Sequence, residues 1–175
     1  MRTVKIAVWI AVLYLLQTVF GRLISVYGIT PQLLTAFAVL FPFISEDDKE
    51  SAYTALVCAA LSGAMVGHYF AADMIVIGVA YLISHFAVQN IRFVPSWIRA
   101  HTMTALAAFV YAAVVCFSAK MSVNGFDIRR YILPNVIYTL ICSFVMYPII
   151  KKTLFGKADK VLWGMRKEPE QYEQQ

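Results

Sequence analysis

An all-α integral membrane fold, a bundle of six transmembrane helices, is what this sequence predicts, and three observations carry it. Of 175 residues, 61% are hydrophobic and 14% are charged, against about 25% charged in an ordinary soluble domain. Mean hydropathy is +0.69. The charges are also bunched: residues 51–72, 74–91, 100–119 and 131–150 hold none, which makes runs of 22, 18, 20 and 20. A helix rises ~1.5 Å per residue and a bilayer core is ~30 Å thick, so about 20 apolar residues cross it. Buried helices of a soluble protein would need polar faces at helical spacing, and these runs show none.

The first helix is expected over 4–22, with Gln17 and Thr18 near its end. Its apolar stretch is too long for a secretory signal, and no clean small-x-small cleavage site follows, so it reads as a retained helix. The second lies in "YGITPQLLTAFAVLFPFISEDDKE". Gly28 and Pro31 interrupt the apolar run there. Proline suits a first helical turn, which puts the start near Pro31 with Thr30 as its cap. From Pro31 to Ser45 is 15 residues, or ~22 Å, short for a full crossing. Pro42 is a candidate kink. Either the bilayer thins there or part of 23–30 sits at membrane depth.

Residues 51–91 contain one charge, Asp73. A single helix of that length would run ~61 Å, so it must turn. Gly67, His68 and Asp73 mark the turn, because a carboxylate is costly at the bilayer centre and cheap at its edge. The fifth helix is expected over 100–119. The sixth is expected over 131–150, with Pro134 in its first turn and Pro148 near its end. Five spans, with the second segment re-entrant, is the competing count.

Six spans put both termini on one side, and positive residues decide which. Arg2, Lys5, Lys49, Arg92, Arg99 and the six basic residues from Lys151 to Lys167 fall together, against Arg22, Lys120, Arg129 and Arg130. Both termini are therefore expected in the cytoplasm, with one transmembrane domain over 1–155 and a basic, polar tail over 156–175. "FGKADKVLWGMRK" reads either as an amphipathic segment on the inner leaflet or as a disordered tail.

Catalytic chemistry is hard to find. Cys58, Cys116 and Cys142 lie in separate runs without metal or redox spacing. His68, His85 and His101 have no ligand partner three or four residues on. There is no phosphate-binding loop and no HExxH. Beyond a net charge of +5, no basic-aromatic array suggests nucleic acid. No cofactor or metal is expected, and no enzymatic activity.

The spans do offer packing surface. Ala59, Gly63 and Gly67 are four apart, as are Ala7 and Ala11. Small residues at this spacing let helices approach closely in lipid, inside the bundle or against a partner. In "SHFAVQNIRF", His85, Gln89 and Arg92 share one face. They read as interfacial polar residues with Arg92 snorkelling to water, or as a notch for a partner.

The chain resembles the MreD family, rod shape-determining proteins of the bacterial inner membrane. The resemblance is carried by "MRTVKIAVWIAVLYLLQTVF", "GITPQLLTAFAVLF" and "ALSGAMVGHYFAADMIVIGVAYL". A Leu-Gln pair late in helix one is matched by Leu16 and Gln17. Proline, a polar residue and leucines at the start of helix two are matched by Pro31, Gln32, Leu33 and Leu34. A glycine-containing third span ending in Gly-x-x-x-Asp, with a later glycine, is matched at Gly67 and Gly78. At the expected Asp position stands Ala71, and the acid is Asp73, which puts any role of that carboxylate in doubt.

The resemblance implies a six-helix bundle like the substrate-binding S components of energy-coupling-factor transporters, without catalytic residues. It implies a scaffold of the cell-elongation machinery, or elongasome, acting in cell shape and lateral peptidoglycan synthesis. MreC is the partner it implies, and through MreC, MreB filaments, RodA and a transpeptidase. Gln17, Pro31, Gln32, Gly63, Gly67, Asp73 and Gly78 become partner or packing candidates. The short second helix and the loop before it are expected to form part of a docking surface near the outer leaflet. The competing reading is a vitamin-binding S component, in which a pair such as Ala7/Ala11 serves docking. A membrane-embedded enzyme is the third, and it lacks a polar constellation.

Overall fold

The computed structural model describes residues 2–19, 29–45, 47–66, 70–91, 93–118 and 131–155. The expected tail over 156–175, the segment before Ile29, Gly67, and the loop charges Arg22, Arg92, Lys120, Arg129 and Arg130 lie outside the described residues. Six α-helices and one short 3-10 turn make up the described residues: α1 (Arg2–Thr18), α2 (Leu33–Leu40) running into the 3-10 turn Phe41–Phe43, α3 (Asp48–Val66), α4 (Phe70–Asn90), α5 (Ser96–Ser118) and α6 (Leu133–Phe155).

The short helix α2 is the hub. It packs on every other helix, while α1, α3, α4, α5 and α6 touch in that order and close into a ring around it. Every residue from Leu33 to Leu40 is buried, which suits a segment, LLTAFAVL, that is almost apolar all round. Its Phe37 and Phe41 rings meet at 5.5 Å. Ile6, Ile10 and Leu13 of α1, Ala55, Cys58 and Ala59 of α3, Ile77 and Tyr81 of α4, and Met146 and Ile150 of α6 complete the core around it. The expectation that helix two forms a docking surface is corrected here. An enclosed helix presents nothing outward.

Its bounds also differ from the expected 31–45. The helical part ends at Leu40, and Pro42 sits in the 3-10 turn. Thr30 is not its cap: Gln32 holds that position and makes no side-chain cap of its own. Eight residues reach only ~12 Å. Helix α6 runs on past Pro148 to Phe155, so that proline does not end it. Helix α3 ends at Val66 and α4 begins at Phe70; of the residues expected to mark a turn, Gly67 and His68 lie outside the described residues and Asp73 is inside α4.

The acidic stretch after α2 begins α3. Asp47 Oδ1 accepts the backbone N–H groups of Lys49 at 2.9 Å and Glu50 at 3.3 Å. Asp48 and Glu50 then occupy the first turn, where negative charge faces the positive end of the helix dipole.

Apolar residues cover the outer faces of the bundle as well as filling its core, and several polar side chains lie inside. Val4, Val8, Val12 and Leu15 make an exposed stripe on α1; Ile75, Val79, Leu82 and Phe86 do so on α4; Ile137, Ile141, Phe144 and Val145 do so on α6. Meanwhile Ser51, Thr54, Ser62, Ser84, Thr104, Asn135, Thr139 and Ser143 are buried. Among the described residues, two helical stretches are long and apolar enough to cross a membrane, Ser96–Cys116 and Leu133–Leu154; Leu33–Phe43 and Met74–Asn90 are shorter apolar helices.

Candidate functional site

A polar seam runs through the middle of this apolar bundle. It begins with Gln17 on α1. The Gln17 amide oxygen accepts the backbone N–H of Leu34 at 3.1 Å, and its amide nitrogen donates to Gln32 Oε1 at 3.2 Å. The first N–H groups of any helix lack intrahelical partners, and here α1 supplies one. On the other side, Thr139 Oγ1 of α6 accepts the Gln32 backbone N–H at 3.1 Å. One turn earlier on α6, Asn135 Nδ2 donates to the Thr30 carbonyl at 3.4 Å.

The seam continues along α6, because Asn135, Thr139 and Ser143 are spaced by four and share a face. They are 1%, 0% and 0% exposed. Ser143 meets His101 of α5, with Nδ1 and Oγ 3.0 Å apart. The Ser143 hydroxyl donates to the Leu140 carbonyl at 2.7 Å. Its one proton is thus committed, so His101 Nδ1 carries the hydrogen and Ser143 accepts it. The His101 ring stacks on Phe144 at 3.9 Å and meets Tyr147 edge-on at 5.5 Å. Two buried atoms of the seam, Asn135 Oδ1 and Thr35 Oγ1, have no hydrogen-bond partner among the described residues.

At one end of the bundle the charges gather. Arg2 pairs with Glu50 at 2.9 Å and donates to Ser45 Oγ at 2.8 Å. Lys5 donates to the Thr153 carbonyl at 3.3 Å, so the start of α1 lies beside the end of α6. Arg99 Nη1 donates to the carbonyls of Ala87 at 3.0 Å and Val88 at 3.3 Å, closing the C-terminus of α4. Its guanidinium lies 5.9 Å from the centre of the Phe43 ring. The polar face on α4 takes shape here too. Gln89 Nε2 lies 2.9 Å from His85 Nε2, and His85 Nδ1 turns to Asp48 of α3 at 3.8 Å.

Between α1 and α3 lies a groove of about 680 Å³, with Ala7 and Ala11 on one wall, Tyr53 and Val57 on the other, and Asp47, Lys49 and Glu50 at its mouth. Ala7 and Ala11 are exposed. They leave a gap and do not clamp two helices together.

Of the residues singled out from sequence, Gln17, Pro31 and Gln32 converge at the start of α2. Gly63 is buried on α3, beside the inward-facing Ala59 and Ser62, so this stripe packs inside the bundle. Asp73 falls in the first turn of α4, and its side chain lies outside the described residues. Gly78, the other glycine named as a partner or packing candidate, has open space beside it: a Cβ added there would meet nothing within 4 Å. Sequence reasoning missed Asn135, Thr139, Ser143 and the His101 contact. The spacing of four in "NVIYTLICS" was the available signal.

Compared with family models, curated proteins and solved structures, the chain shows no match.

Proposed function

We propose that this chain is a non-catalytic, multi-pass scaffold of the bacterial inner membrane, of the kind its sequence resembles in the MreD family. The observation that supports the membrane reading best is the apolar outer face. Outer faces built of Val, Ile, Leu and Phe would form apolar patches far larger than a soluble monomer tolerates, whereas lipid is their natural solvent. On this reading the chain crosses the bilayer six times, α2 with its 3-10 turn making the short second crossing as the hub, and both termini are cytoplasmic. The charged end, with Arg2, Lys5, Lys49 and Arg99, then faces the cytoplasm, in keeping with the positive-inside rule.

The seam supports a scaffold role. Most of its polar groups are engaged in holding α1, α2, α5 and α6 to one another, as interhelical hydrogen bonds do in lipid. The partner is MreC, and through it MreB, RodA and a transpeptidase. Because α2 is enclosed, the partner surface lies on the outer ring. The second reading, an S component binding a small vitamin-like ligand, is favoured by Asn135 Oδ1 and Thr35 Oγ1, two buried atoms without partners.

A pull-down of the tagged chain from detergent-solubilised native membranes, read by mass spectrometry, separates the two. Near-stoichiometric MreC supports the scaffold. A transmembrane coupling subunit with its ATPases supports the S component. Recovery of the chain in the soluble fraction without detergent overturns both.

A further inference from the structure

The groove between α1 and α3 has a length and a charged mouth that together select an occupant. Along α1 it extends from Thr3 to Tyr14 and along α3 from Glu50 to Leu61. Each is eleven residues on, about 16 Å of helix and half of a ~30 Å bilayer core. The half it covers adjoins the charged end. A crossing helix is twice too long for it. Flexible hydrocarbon chains confined to one leaflet fit that length.

The walls are apolar at Ala7, Ala11 and Val57, and Tyr53, 71% exposed, stands nearer the mouth. Asp47 and Lys49 are both exposed at the mouth. Glu50 is already paired with Arg2. Asp47 caps α3 through Oδ1 and keeps its second oxygen, so among the described residues the mouth offers the Lys49 cation and an exposed carboxylate oxygen two residues away, which complements a headgroup that carries both signs.

We propose that this groove is a phospholipid site: acyl chain from the leaflet at the charged end lies along Ala7 and Ala11, the headgroup phosphate meets Lys49, and its ammonium meets Asp47. The occupant is a zwitterionic lipid with a primary ammonium, of the phosphatidylethanolamine type. The inference rests on the membrane reading above and goes beyond it, because it assigns a lipid to one interhelical groove.

The test is native mass spectrometry of the purified full-length chain from mixed micelles holding equal amounts of phosphatidylethanolamine and phosphatidylglycerol. The expected result is one retained phosphatidylethanolamine per chain. Ala11→Phe, which fills the groove, and Lys49→Glu, which reverses the phosphate contact, should each lower the bound fraction by roughly tenfold, the equivalent of two buried methylenes. Ala7→Phe acts from the same wall and guards against a folding defect peculiar to one variant. Val8→Phe, on the exposed outer stripe, should retain the lipid. Equal retention in wild type and Ala11→Phe, or preference for phosphatidylglycerol, overturns the proposal. So does loss from Ala11→Phe of a co-purifying membrane protein in place of a lipid, which would assign the groove to a partner helix. A chain that integrates into membranes and retains no lipid sinks this inference alone; a chain that never integrates sinks the membrane reading.

Discussion

Gln17 on α1 and Gln32 at the start of α2 are joined amide to amide at 3.2 Å, and the free oxygen of Gln17 reaches on to the Leu34 N–H at 3.1 Å. One side chain thus fastens the hub helix to the ring and satisfies an N–H at its first turn. Removing it leaves that N–H buried without a partner. Gln17→Leu should cost about 1–3 kcal/mol of stability. A cycle with Gln32→Leu should return a coupling of about 0.6–1.7 kcal/mol, the range for interhelical hydrogen bonds in membranes. Denaturant titration in mixed micelles, followed by circular dichroism, measures both; strictly additive single effects would mean the amide pair does not hold α1 to α2.

The His101–Ser143 pair makes a second cross-helix tie, between α5 and α6. Ser143→Ala strands the Nδ1 hydrogen of a residue only 6% exposed, at a cost of about 1–3 kcal/mol. Replacing both, as His101→Phe with Ser143→Ala, removes the orphan and keeps the ring stack on Phe144. The double variant should therefore be more stable than Ser143→Ala alone. Unfolding midpoints of the two variants and the unaltered chain decide it.

Glycines of one sequence motif should respond in opposite ways. Gly63 is buried on α3 among Ala59 and Ser62, so Gly63→Leu overpacks the ring and should cost about 1–3 kcal/mol. Gly78 has open space where a Cβ would go. Gly78→Ala in mid-helix should stabilise α4 by about 0.5–1 kcal/mol. A loss at Gly78 would mean that a partner helix packs on that outer face.

Arg99 closes α4 through the carbonyls of Ala87 and Val88. Arg99→Met keeps much of the apolar stem and loses both bonds, at about 1–3 kcal/mol, the range for hydrogen bonds to a charged group. Hydrogen exchange should then quicken in the last turn of α4 and leave α2 unchanged. Uniform exchange across the bundle would show that the arginine supports the whole fold.

Orientation has its own test. A single cysteine at position 47, in a background with Cys58, Cys116 and Cys142 replaced, should be shielded from an impermeant maleimide in intact cells and labelled after lysis. Labelling in intact cells would invert the proposed topology.

Much of the architecture was legible in sequence. Charge-free runs of about 20 residues located α3 to α6, and the length of the run 51–91 showed that it could not be one crossing helix. The shortness of helix two could be read from Pro31 and Pro42, since proline limits helices locally. Gln17 and Gln32 were singled out separately by a motif match, and nothing in that match said that the two side chains meet.

What tertiary structure alone decided is which faces meet. Sequence spacing tells which residues of one helix share a face; it does not say what that face touches. Helix α2 is almost apolar all round and is enclosed, yet the outer helices also leave large apolar residues exposed. Ala7/Ala11 and Ala59/Gly63 have the same spacing, yet the first pair opens a groove and the second packs inward. His101 has no partner within its own helix and finds one on α6. Where core and outer faces are both apolar, as here, hydrophobicity alone does not fix which face of an outer helix turns inward, so hydrogen bonds and the shapes of the packed faces make that choice.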